Sequence, residues 1–66
     1  MRTFKVIFYA DGAGPLRTEQ LSVPSVQDVR SWTDVRVSRS QAFSRARIYE
    51  NEALVSEVGF RINRLA

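Results

Sequence analysis

The chain of 66 residues contains neither cysteine nor histidine. Without cysteine it can form no disulfide and no thiolate metal site, and without histidine it lacks the commonest remaining zinc ligand. The same two absences remove thiol nucleophiles, Ser-His triads and the usual general base near neutral pH. We therefore predict no catalytic residues, no metal site and no cofactor, and we expect that the protein is not an enzyme.

Long apolar runs are missing as well. The longest runs from Val6 to Ala10, whereas a membrane-spanning helix needs about 18 residues and the core of a signal peptide about 7–15. We therefore expect no membrane association and, with no secretion signal and no cysteine, a cytoplasmic protein. The length allows a single small domain, 1–66. The core of such a domain is small, and association with a partner chain commonly adds to its stability.

The order of apolar and turn-forming residues predicts two hairpins around one helix. Four segments have strand character: Thr3 to Ala10, Leu16 to Val23, Phe43 to Glu50 and Ala53 to Asn63. They are rich in β-branched and aromatic residues or alternate between apolar and polar. A glycine- and proline-containing break at residues 11–15 separates the first two strands, and a tight polar turn at Asn51 and Glu52 separates the last two.

The segment after Pro24 predicts a helix. Ser25 is a suitable N-cap, and the helix dipole favours an acidic residue in the first turn, such as Asp28. Apolar residues then recur at helical spacing as far as Val37. Because several of them are poor helix formers, a shorter helix that ends near Asp34 is an alternative, and residues 38–41 are predicted to be a loop. The result is an α+β fold of ββαββ order, an antiparallel four-stranded sheet with one helix packed on one face.

Matching the apolar patterns of the strands assigns the two faces of the sheet. Both faces of the first strand are mostly apolar, so Ile7 and Tyr9 compete for the core with the residues that we favour. The face toward the helix is expected to hold Phe4, Val6, Phe8, Ala46, Ile48, Leu54, Val58, Phe60 and Ile62. The uncovered face is expected to hold Lys5, Ile7, Tyr9, Arg45, Arg47, Tyr49, Val55, Glu57 and Arg61, with Leu21 as a further candidate. This uncovered face would combine positive charge with tyrosines and aliphatic side chains.

Positive charge is concentrated in one stretch of the chain. The net charge is +3, and the bases are arginines except for Lys5. The segment from Val35 to Tyr49 contains arginines and no acid, whereas bases and acids balance in residues 1–34. Arginine is suited to bidentate contact with phosphate or carboxylate groups.

Three interpretations of this basic stretch follow. A basic sheet with interleaved aromatics is a way to hold single-stranded nucleic acid, through base stacking and phosphate contacts. The same arginines could instead pair across the sheet with Glu19, Glu50 or Glu57. The uncovered face could also bind a protein partner or a second copy of the chain, because tyrosine and arginine are enriched in interface hot spots. Trp32, on the flank of the helix, is expected to be partly buried, with an anchor for a partner as the alternative.

These observations predict a non-enzymatic protein-binding module. Small bacterial and phage accessory proteins share its general character, and they commonly inhibit or regulate a larger machine such as nucleic-acid or defence machinery. A nucleic-acid-binding protein that uses the basic aromatic face is the first alternative, and a self-associating structural piece, such as a homodimer, is the second. The candidate partner-binding residues are Lys5, Tyr9, Trp32, Arg36, Arg39, Arg45, Arg47, Tyr49 and Arg61.

Overall fold

The computed structural model describes residues 1–10, 12 and 14–59, and it has the predicted order of two strands, one helix and two strands. The elements are β1 (Arg2–Tyr9), β2 (Pro15–Val23), α1 (Val26–Arg39), β3 (Arg45–Glu50) and β4 (Ala53–Val58). All neighbouring strands are antiparallel, in the order β2-β1-β3-β4. The predicted α+β fold is therefore confirmed. The part of the fourth predicted strand beyond Gly59 lies outside the described residues.

The core forms where β1 faces the helix. Phe4, Val6 and Phe8 have no solvent-exposed surface, because alternate residues of a strand point to the same face. They meet the buried side chains Val29, Ala46, Ile48 and Val58. The inward assignment of β1, Ala46, Ile48 and Val58 is thus confirmed. Burial of these side chains is the main stabilising contribution in a chain without disulfides.

The helix begins where its cap predicts. The Ser25 hydroxyl accepts a hydrogen bond from the Asp28 backbone amide at 3.2 Å, and it donates one to the Asp28 carboxylate at 3.0 Å. These contacts satisfy an amide of the first turn that has no partner within the helix. The predicted N-cap is confirmed.

The helix is longer than the shorter of the two predicted alternatives. It continues to Arg39, so the end near Asp34 is wrong, and residues 38 and 39 are helical rather than part of a loop. Val29 and Thr33 are buried, and Val37 packs against the core. Contacts with the sheet therefore outweigh the low helix propensity of these β-branched residues.

The second hairpin contains an irregularity that the alternation did not indicate. Ile48 pairs with Ser56 but Tyr49 pairs with Leu54, so Val55 is the extra residue of a β-bulge. Leu54 therefore shares the face of Tyr49 and is 50% exposed. The inward prediction for Leu54 is wrong. Val55, predicted on the uncovered face, instead lines a groove beside α1.

The register of β2 corrects a further assignment. Leu21 pairs with the buried Phe4, so it lies on the helix side and packs against the core. It is not part of the uncovered face. The residues of β2 that lie on that face include three polar ones, Thr18, Gln20 and Ser22.

Gly59 provides a test of how β4 ends. Its φ is +82°, and an added Cβ would overlap the backbone oxygen of Ser44. We expect Gly59→Ala to lower the free energy of unfolding by about 2–4 kcal/mol, measured by chemical denaturation, because left-handed strain is combined with a backbone clash.

The matched control is Gly12→Ala. Gly12 also has a positive φ, +66°, but an added Cβ there has no atom within 4 Å. Only the conformational penalty of about 1 kcal/mol applies. Equal losses of stability in the two variants would contradict the described end of β4.

Candidate binding surface on the open face of the sheet

The sheet has one face that no element covers in the described part of the chain. We call this surface the open face. Its side chains are Thr3, Lys5, Ile7, Tyr9, Thr18, Gln20, Ser22, Arg45, Arg47, Tyr49, Leu54 and Glu57, as the strand register places them. The helix covers the opposite face through contacts with β2, β3 and β4.

Cross-strand pairing arranges the centre of the open face in three rows. The rows are Gln20–Lys5–Tyr49–Leu54, Thr18–Ile7–Arg47–Glu57 and Tyr9–Arg45. Directly opposed residues of antiparallel strands are close enough for their side chains to interact. The predicted site residues that the fold brings together are therefore Lys5, Tyr9, Arg45, Arg47 and Tyr49.

Tyr9 lies beside two arginine side chains. The guanidinium carbons of Arg45 and Arg47 are 5.9 and 5.5 Å from its ring centroid. Arg45 also donates to the backbone oxygen of Ala10 at 2.7 Å, and Arg47 donates to the Glu57 carboxylate at 3.1 Å. Each guanidinium is thus held by a hydrogen bond as well as by its attraction to the ring. The cluster is therefore held by contacts within the chain.

Lys5 has a different environment. Its ammonium nitrogen is 5.8 Å from the ring centroid of Tyr49, and it forms no ion pair with any residue that the structure describes. A hollow of about 260 Å³ surrounds it. The hollow is lined by Thr3, Phe4, Lys5, Gln20, Tyr49, Asn51 and Glu52.

Two helical candidates lie on the other side of the sheet. Arg36 donates to both carboxylate oxygens of Glu19, at 3.2 and 2.6 Å, and its guanidinium carbon is 4.8 Å from the Trp32 ring centroid. Trp32 is half-buried, with its ring 6.2 Å from that of Phe8. The predicted partial burial of Trp32 is confirmed. Neither residue belongs to the open face.

The remaining candidates are Arg39, which lies on the helix and not on the open face, and Arg61. Arg39 is exposed in the last turn of α1, and Arg61 lies outside the described residues. The nine predicted site residues therefore do not form one surface. The alternation of the strands could group the sheet residues, but nothing in the local pattern showed which face of the molecule the helical arginines would reach.

The fold places acidic side chains beside two arginines of the arginine-rich segment, Val35 to Tyr49. Arg36 meets Glu19 of β2, and Arg47 meets Glu57 of β4, so the acids come from other parts of the chain. The predicted pairing across the sheet is confirmed for Arg47 and Glu57, whereas Glu19 is paired by Arg36 of the helix and by Arg17 of its own strand. Glu50 is paired as well, but with Arg2, whose nitrogen is 2.7 Å from its carboxylate.

Several open-face residues were missed by the sequence interpretation. Thr18 and Gln20 were recognised only as the polar middle of a strand. Because they alternate with Glu19 and Leu21, their position on the open face follows once the register with β1 is known. Leu54 had no such signal, because the bulge at Val55 reverses its direction.

Hydrogen bonds from arginine alter the titration of two carboxyl groups. Those from Arg36 hold the pKa of Glu19 below its usual range, and a weaker contribution comes from Arg17. Those from Arg2 do the same to the pKa of Glu50. A carboxylate stabilised in this way favours the folded state while it is ionised.

No protein-family model matches the chain, and no curated protein or solved structure matches it either. No helix within residues 1–10, 12 and 14–59 has the length and apolar character needed to cross a membrane.

The contact between Glu19 and Arg36 predicts a specific acid sensitivity. Because folding lowers the pKa of Glu19, its stabilising contribution is complete above the ordinary glutamate pKa and is lost as the pH falls through the lowered value. We expect wild type to lose about 0.5–1 kcal/mol more stability than Glu19→Gln between about pH 6 and pH 3, a figure that allows for solvent screening.

The matched control is Glu52→Gln, an exposed glutamate that forms no ion pair with the described residues. Denaturation curves at each pH measure the difference. A Glu19→Gln variant with the same pH dependence as wild type would contradict the stabilising role of this contact.

Proposed function

We propose that the protein is a non-enzymatic protein-binding module that docks through its open face, in the cytoplasm, as an inhibitor or regulator of a larger assembly. The observation that carries this proposal is the cluster of Tyr9, Arg45 and Arg47 on the uncovered side of the sheet. Ile7 and Tyr49 extend the same surface. Tyrosine and arginine are the residue types that contribute most to protein interfaces.

The internal contacts of the cluster favour a protein partner. Arg45 and Arg47 are already held by the Ala10 carbonyl and the Glu57 carboxylate, so less side-chain entropy is lost when a partner binds. Ile7, Tyr9 and Tyr49 are half-buried against their neighbours. They present a fixed surface rather than flexible side chains.

Nucleic acid is the second candidate because of the charge of the same face. Its described charged residues are Lys5, Arg45, Arg47 and Glu57, an excess of cations beside two tyrosines. Such a surface can hold phosphates and stack bases. The pairing of Arg47 with Glu57 weighs against it, since this carboxylate reduces the attraction of the face for phosphates. The same excess of cations disfavours face-to-face pairing of two copies.

Comparative capture tests the docking surface. Tagged wild type and variants are incubated with a lysate of the source organism, and retained proteins are quantified by mass spectrometry. We expect a stoichiometric partner whose affinity falls about thirtyfold or more in Tyr49→Ala, the effect of removing an interface hot spot. Arg47→Glu should also release it.

The control for charge is Arg39→Glu, which changes the net charge equally but lies in the last turn of α1. This variant should retain the partner, and circular dichroism checks that each variant is folded. Equal retention by all variants would contradict docking through the open face. Salt-sensitive binding of a short oligothymidylate, lost in Arg47→Glu but not in Arg39→Glu, would instead support the nucleic-acid function.

A further inference from the structure

We propose that the hollow around Lys5 receives one acidic side chain, an aspartate or glutamate, of the protein partner. This inference rests on the proposed function, because it assigns the chemistry that the partner presents to the open face. Lys5 supplies the positive charge, and the amides of Gln20 and Asn51 supply neutral donors in the same hollow.

The size and position of the hollow suit a side chain. Its volume of about 260 Å³ is below the range of roughly 300–1,000 Å³ that is typical of small-molecule sites. It lies where β2, β1 and β3 meet the turn between β3 and β4, next to the row that Lys5 forms with Gln20 and Tyr49. A side chain that projects from a partner docked on the open face can enter it.

The cationic side chains of the open face differ in the partners that they have within the described part of the chain. Arg47 is paired with Glu57, and Arg45 donates to a backbone carbonyl. The Lys5 ammonium lies 5.8 Å from the ring centroid of Tyr49 and has no carboxylate at ion-pair distance among the described residues. A carboxylate placed beside its ammonium would form a charge-assisted hydrogen bond without displacing an internal partner.

The acids near the hollow favour a single carboxylate over a nucleic-acid strand. Glu52 lines the hollow itself, and Glu57 lies in the adjacent row. A strand carries regularly spaced phosphates, some of which would approach these carboxylates. An isolated acidic side chain brings a single negative charge beside Lys5, so this repulsion is smaller than for a strand.

The test is a nuclear magnetic resonance titration of the full chain with an acetylated and amidated Gly-Gly-Glu-Gly-Gly peptide, which carries a single carboxylate. We expect amide shifts centred on Lys5, Gln20, Tyr49 and Asn51. Binding should be weakened about tenfold in Lys5→Met and largely kept in Lys5→Arg, because a hydrogen bond to a charged group contributes that much. Arg39→Met, which removes a surface cation elsewhere, should bind like wild type.

Three results would overturn the inference. They are an absence of shifts, shifts unaffected by Lys5→Met, and tighter binding at these residues by a thymidine dinucleotide, which also carries one negative charge. Capture of the natural partner from a lysate shows whether such a result overturns only the assignment to Lys5 or the proposed function as well. If Tyr49→Ala loses the partner while Lys5→Met retains it, the open face binds a protein by other contacts, and only the assignment to Lys5 is wrong.

Discussion

The pleat of β1 is the constraint on which both surfaces of the molecule depend. Phe4, Val6 and Phe8 must face α1, since they are the fully buried centre of a small core. The residues between them are then forced to the other face, where Lys5 and Ile7 lie. Because β1 pairs with both β2 and β3, its register also decides which side chains of those strands join each face.

This constraint divides the arginine-rich segment between two environments. Arg36 lies on the helix side, where it joins Glu19 and covers the ring of Trp32. Arg45 and Arg47 lie on the open face, beside Tyr9. Arginines from one segment of the chain therefore have different structural roles. The first closes the edge of the core, whereas the other two form an ordered part of the proposed docking surface.

Local signals were sufficient for much of the fold. Matching the apolar pattern of β1 to those of the other strands identified its buried residues. Ser25 marked the start of the helix because capping is a contact between near neighbours. Features that depend on distant contacts could not be obtained in this way. The helix reaches Arg39 because of tertiary packing, and the bulge at Val55 reverses Leu54 through pairing with β3. The same holds for the site, since the acids that pair with the arginines lie on other strands.

Thiol labelling of single-cysteine variants tests the pleat of β1 most directly, because the chain has no other cysteine. Lys5→Cys places the thiol on the open face, and Val6→Cys places it in the core. We predict that Lys5→Cys reacts under native conditions at about the rate of the unfolded chain, whereas Val6→Cys reacts only through global unfolding. Equal native-state rates at the two positions, in variants shown to be folded, would contradict the division into a closed and an open face.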